Sequence, residues 1–171
     1  MTGIRVRALT ATGVAAAAAL VATLGVTAPA DAAETKSLKV SGELEIAPDP
    51  EILEITAEGT TDAEGKTTGT YVATLLAGDD DNPLPFKVKG PITCIHTEGN
   101  TASLVYPITG TEPNLVPAPL KDALAVQITV RKGAGEDDNK VGVNGPAPTA
   151  SFRGCKPAAT PYEFDGDIEI R

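Results

Sequence analysis

The chain has 171 residues, with 14 Lys and Arg against 23 Asp and Glu, a net charge of −9 at neutral pH. An acidic surface of this kind repels phosphate backbones and anionic headgroups, which argues against nucleic acid and membrane lipid as partners. Aromatic residues are 4% of the chain and Trp is absent. Few rings are therefore free to stack on sugars, and a carbohydrate-binding module is disfavoured.

The amino terminus reads as a Sec-type signal peptide over residues 1–32. Arg5, Arg7 and the terminal amine form the positive region, Ala8 to Val26 the apolar region, and Ala30 and Ala32 the small-residue positions before cleavage between Ala32 and Ala33. A permanent anchor is the competing reading, because about 18 apolar residues can span a bilayer. Low alanine hydrophobicity, Pro29 and the lack of a cationic stop-transfer flank oppose it. Arg-Val-Arg instead of paired arginines favours Sec over twin-arginine export. No cysteine near the cleavage site offers a lipid attachment point, and the Ile168-Glu169-Ile170-Arg171 end carries no sorting motif. The expected product is a protein secreted and released outside the cell, residues 33–171, forming one β-domain and a monomer. Cleavage removes Arg5, Arg7 and Asp31, two cations and one anion, so the net charge moves from −9 to −10.

In that product the dominant period is two, the period of a strand. Leu38, Val40, Leu44 and Ile46 alternate with Lys39, Glu43 and Glu45 over Ser37 to Ile46. Pro48-Asp49-Pro50 ends this strand, and a weaker one follows over Ile52 to Ala57. After a turn at Asp62 to Gly65, Thr67 to Leu76 is rich in the Thr, Tyr and Val that strands favour. The polar loop Gly78 to Pro83 precedes Phe86 to His96, where Phe86, Val88, Ile92, Cys94 and His96 fall on one face and direct Cys94 to the core. Glu98-Gly99-Asn100 supplies turn chemistry for a hairpin, and Thr101 to Ile108 returns with Ala102, Leu104, Tyr106 and Ile108 facing one way. Beyond the Pro-rich stretch Glu112 to Pro119, Leu124, Val126, Ile128 and Val130 alternate with Gln127, Thr129 and Arg131. Gly133 to Asn139 is a loop, Val141 and Val143 mark a short strand, Gly145-Pro146-Ala147-Pro148 interrupts, and Ser151 to Lys156 brings in the second cysteine. The last strand, Tyr162 to Arg171, puts Tyr162, Phe164, Ile168 and Ile170 inside and Glu163, Asp165, Asp167 and Glu169 outside. About seven to nine strands with frequent Gly and Pro breaks predict an all-β fold, an antiparallel sandwich or barrel.

The two cysteines, Cys94 and Cys155, mature where thiols oxidise and are expected to form one disulfide. Closing a loop of about 60 residues stabilises by roughly 4 kcal/mol in the chain-entropy model. A redox or metal-ligating pair needs a CxxC-like spacing or further ligands, which the sequence lacks.

The run Gly90-Pro91-Ile92-Thr93-Cys94-Ile95-His96-Thr97-Glu98-Gly99-Asn100-Thr101-Ala102, with Cys155 and the closing Asp165-Gly166-Asp167-Ile168-Glu169-Ile170, resembles a group of small secreted proteins of high-GC Gram-positive bacteria. The resemblance covers residues 86–171. It implies secretion, a β-fold and the disulfide, and carries no active site with it.

His96 is the one histidine, so any Ser-His-Asp scheme runs through it; the simpler reading is a half-buried strand residue. Asp79-Asp80-Asp81-Asn82 and Glu136-Asp137-Asp138-Asn139 offer the closely spaced oxygens that calcium takes, but neither matches an EF-hand loop, and no cofactor is otherwise indicated. Asp165, Asp167 and Glu169 share a face and so could pair as in glycosidases, or simply solvate the outside of an amphipathic or edge strand. Three functions follow. The leading one is a non-enzymatic binding module whose loops contact a protein, a cell-wall component or a small molecule. The second is a protease inhibitor presenting Leu115 or Val116 from the loop 112–119. The third is a hydrolase using His96 or paired carboxylates.

Overall fold

The computed structural model describes residues 35–45, 52–77, 84–152 and 154–171. The signal peptide, its Ala32/Ala33 cleavage site, the Pro48-Asp49-Pro50 break and the Asp79-to-Asn82 loop lie outside the described residues.

Ten strands form: β1 (Lys36–Glu45), β2 (Ile52–Thr61), β3 (Thr67–Ala77), β4 (Leu84–Pro91), β5 (Cys94–Glu98), β6 (Thr101–Pro107), β7 (Gly110–Glu112), β8 (Leu124–Arg131), β9 (Lys140–Pro148) and β10 (Tyr162–Ile170). They make one antiparallel sheet in the order β5-β6-β8-β9-β10-β1-β2-β3-β4-β7. The sheet curls into a half-barrel, because β4 passes into β5 through Ile92 and Thr93 alone, and β6 into β7 through Ile108 and Thr109. One wing is β10-β1-β2-β3-β4-β7; the other, β5-β6-β8-β9, joins it through only Tyr162↔Val141 and Glu163↔Lys140. Asn139 reinforces this seam. Its Nδ2 donates to the Gly166 carbonyl at 2.8 Å, and its Oδ1 accepts from the Gly133 amide at 3.0 Å. Lys140 and Glu163 add an exposed ion pair at 2.8 Å, whose hydrogen bond and charge hold the Glu163 carboxyl below its ordinary pKa.

The two wings close on one core, since alternate residues of each strand face inward. Leu38, Val40 and Leu44 of β1 and Phe164 and Ile168 of β10 meet Leu104, Ile128 and Val130 of the other wing. Gly59 and Gly69 stand directly opposite each other on β2 and β3 and leave a notch. A Cβ at Gly59 would lie 3.0 Å from both Ile92 Cδ1 and Ile95 Cδ1, and one at Gly69 would lie 2.5 Å from the Glu58 carbonyl oxygen. The bare backbone there admits the two isoleucines that carry the chain between wings.

Three sequence readings change. Phe86 to His96 is two strands, not one, and Gly110–Glu112 adds a short strand, so the all-β antiparallel fold has ten strands among the described residues against the expected seven to nine. The change of wing at Ile92 and Thr93 also shifts the alternation: Ile92 and Ile95 enter the core, and Cys94 and His96 turn to the outer face. Gly145-Pro146 does not interrupt β9, which runs on to Pro148 past an irregularity between Ala125 and Gln127 of β8. Of the two settings left open for the outward acids of β10, an amphipathic strand or an edge, the structure has the first: β10 lies between β9 and β1.

Tyr71 of β3 and Tyr106 of β6 stack across the core with ring centroids 3.8 Å apart and an interplanar angle of 16°. The Tyr71 hydroxyl is buried without a hydrogen-bond partner. Burial foremost, then the neighbouring Tyr106, pushes its pKa well above the ordinary tyrosine value, and burial does the same to Tyr106. A buried hydroxyl with no partner costs about 1–3 kcal/mol. Tyr71→Phe is therefore expected to leave stability unchanged or raise it by about 1 kcal/mol at neutral pH, against the usual loss for a core substitution, in urea unfolding. Because the folded-state pKa values are raised, the unfolded chain loses these protons first, and stability falls as pH rises above about 10. The fall should be shallower by about 1.4 kcal/mol per pH unit in the variant.

Candidate functional site

Strands β6 and β8 are buried on both faces. Ala102, Leu104 and Tyr106, with Val126, Ile128 and Val130, fill the core, while Ser103, Val105, Gln127 and Thr129 on the opposite face are buried as well. Their cover is a strap running from Thr149 to Pro161, of which Arg153 lies outside the described residues. The segment that brings in the second cysteine begins as a short 3-10 turn over Thr149–Ser151 and continues as irregular chain.

The sheet holds this strap by side chains from successive outward positions. The Ser103 hydroxyl donates to the Cys155 carbonyl. Gln127 Nε2 donates to the Lys156 carbonyl at 2.6 Å, and the Ala158 amide donates to Thr129 Oγ1 at 3.0 Å. At Gly142 of β9 a Cβ would collide with the Ala159 carbonyl oxygen, so glycine lets the strap lie flat. The Cys94–Cys155 disulfide, with Cα atoms 6.1 Å apart, ties the strap to β5. Around it Val105, Ala125 and Phe152 form a small second apolar cluster.

A cleft of about 260 Å³ opens where the strap leaves β8 and β9. Gln127, Asn144 and Ala147 form its floor; Ser151, Phe152, Cys155 and Lys156 form its wall. A second hollow, about 420 Å³, lies between the loop around Gly133 and the outer face of β10 at Asp167 and Glu169.

His96 stands opposite Ser103 on neighbouring strands, the one Ser-His juxtaposition that chemistry would notice. Ser103 is fully buried, and its hydroxyl is spent on the Cys155 carbonyl, so it is not a nucleophile awaiting a base. Asp165, Asp167 and Glu169 are exposed and pair across to Glu43, Ser41 and Lys39. In the loop Glu136 to Asn139, both ends of the Asn139 amide bind the backbone and its oxygen is not free for a cation. Among the described residues no group of three or more His, Cys, Asp or Glu is gathered as a metal site.

The Pro-rich loop is anchored at both ends. Leu115 N–H donates to Thr111 Oγ1 at 2.8 Å, Asp122 N–H to the Ile108 carbonyl at 3.2 Å, and Thr149 N–H to the Ala123 carbonyl at 3.0 Å. The last contact sets this loop beside the start of the strap. Between the anchors the loop exposes Leu115 (65%), Leu120 (55%) and, at its end, Leu124 (43%). Glu112, at its base, pairs with Lys89 at 2.8 Å; that hydrogen bond and charge lower the Glu112 pKa.

Sequence reasoning located the disulfide and the leucine loop but missed the strap and its cleft. A signal was present on β6 alone: Ala102-Ser103-Leu104-Val105-Tyr106 is apolar at all but one position, the pattern of a strand covered on both faces, whereas β8 alternates with Gln127 and Thr129 and gave none. Comparison with protein-family models, with curated proteins and with solved structures finds no match to this chain. Among the described residues no helix is long and apolar enough to cross a membrane, and a disulfide persists in oxidising, non-cytoplasmic surroundings.

Replacing both cysteines (Cys94→Ser with Cys155→Ser) should lower unfolding stability by about 4 kcal/mol, the chain-entropy value for a sequence separation of 61. Circular dichroism should still report a folded sheet, because the disulfide secures the strap and not the main core. Loss of the β signal at 25 °C in that variant would show that the sheet depends on the bridge.

Proposed function

We propose that the protein is a non-enzymatic binding module, exported and released from the cell, that contacts a partner protein through the loop from Pro113 to Leu124. The observation that carries this reading is the exposure of Leu115, Leu120 and Leu124 on a loop whose ends are hydrogen-bonded to the sheet. Exposed leucines cost solubility with no gain to the fold, and clusters of apolar side chains held out on a rigid frame mark contact surfaces. The net charge of −9 on the chain favours a neutral or basic partner. Export is supported by the disulfide and by the amino-terminal pattern ending at Ala32 and Ala33.

The test uses immobilised protein and the concentrated proteins of its own culture medium and envelope. The expected result is a discrete retained protein that is lost when Leu115→Asp and Leu120→Asp are combined, with urea stability unchanged, since both side chains are exposed. An identical retained set for the two forms would remove the reading.

Protease inhibition is the second reading, favoured by the 65% exposure of Leu115 directly after the Thr111 anchor. It predicts stoichiometric loss of activity of a subtilisin- or chymotrypsin-like protease. No inhibition at equimolar protein, or simple cleavage of the loop, would eliminate it.

A further inference from the structure

We propose that the cleft between the strap and strands β8 and β9 is a binding site for small organic carboxylates. The proposal stands apart from the leucine loop and rests on the chemistry of the cleft's walls.

Its rim carries three exposed polar side chains, Asn144, Ser151 and Lys156, each able to donate. Lys156 makes no ion pair, and the side chains of Asn144 and Ser151 make no hydrogen bond, among the described residues. Among the described residues no Asp or Glu lines the cleft, although the chain carries 23 of them. An ammonium, a hydroxyl and an amide N–H₂ border the same cleft, and a carboxylate, which only accepts, is the group that can take donors from all three. Besides Gln127, whose Nε2 is already spent on the Lys156 carbonyl, the rest of the lining is apolar: Phe152, Ala147 and the Cys155 side of the disulfide. This wall has no use for an inorganic anion but suits the hydrocarbon body of an organic acid. A volume of about 260 Å³ lies at the small end of ligand sites and admits a single-ring acid, not a nucleotide.

The walls are also fixed before any ligand arrives. Gln127 pins the Lys156 carbonyl at 2.6 Å, and Ser103 and the disulfide hold Cys155. Preorganisation of this kind reduces the cost of binding, and the floor lies on strands instead of a loop.

The probe is phenylacetate, compared with its neutral analogue phenylacetamide, titrated into the full ¹⁵N-labelled secreted protein and followed by amide chemical shifts. Phenylacetate should give saturable shifts confined to residues around Asn144, Ser151, Phe152 and Lys156, with a Kd on the order of 1 mM. Phenylacetamide should bind about tenfold more weakly. Lys156→Met should abolish the preference for the acid, and Lys156→Arg should keep it; Lys156 is exposed, so both variants should otherwise keep the wild-type spectrum. The proposal is overturned if phenylacetate shifts nothing saturably up to roughly 10 mM. It is overturned equally if acid and amide bind alike, or if Lys156→Met binds the acid as tightly as the wild type.

Discussion

The structure depends on covering two strands twice. Strands β6 and β8 sit in the wing opposite β1, β2 and β3, and their inward residues build half the core. Their outward residues Ser103, Val105, Gln127 and Thr129 are buried as well, so the wing needs a second layer. A chain crossing the strands at an angle cannot continue the sheet's own ladder, so its polar backbone requires other partners. Ser103, Gln127 and Thr129 supply them, each to a different strap residue. The sheet's outward side chains thus serve as the hydrogen-bonding surface for an irregular segment that would otherwise carry unsatisfied groups.

The disulfide makes this arrangement permanent. A few hydrogen bonds of about 1 kcal/mol each offset only part of the entropy of ordering a dozen residues. The Cys94–Cys155 bridge supplies the remainder by shortening the free chain in the unfolded state. It also explains why Cys94 turns away from the core: the shift in alternation at Ile92 and Thr93 presents its sulfur to the strap instead of to the interior. The cleft is a by-product of this packing, the gap left where the strap rises from β8 and β9 beside Phe152.

Much of the fold was legible in the sequence because alternation fixes which residues of a strand face in. β1, the inward face of β6 and β10 follow it closely, and the carboxylates of β10 are exposed as expected. What was not legible were effects set by residues distant in sequence. The break between β4 and β5 is only two residues long, and its shift of faces depends on the Gly59–Gly69 notch that receives Ile92 and Ile95. Gln127 and Thr129 looked solvent-facing because they are polar; they are buried because a segment nearly thirty positions later lies on them. β10 read equally as an outer strand because exposed acids suit both an edge and a central strand with one wet face. The disulfide was accessible from cysteine count alone, whereas the cleft it helps to wall depends on the strap's path and left no local trace.

The strap is held by the sheet, and hydrogen exchange at one amide tests that hold most directly. The Ala158 N–H belongs to no strand, yet it donates to Thr129 Oγ1 beneath the strap. In the oxidised protein it should exchange far more slowly than an open loop amide. After reduction of the disulfide it should approach the open-loop rate, while the core amides of Ile128 and Val130 stay protected. Rapid exchange at Ala158 in the oxidised protein, or loss of protection in β8 together with the strap on reduction, would contradict the account.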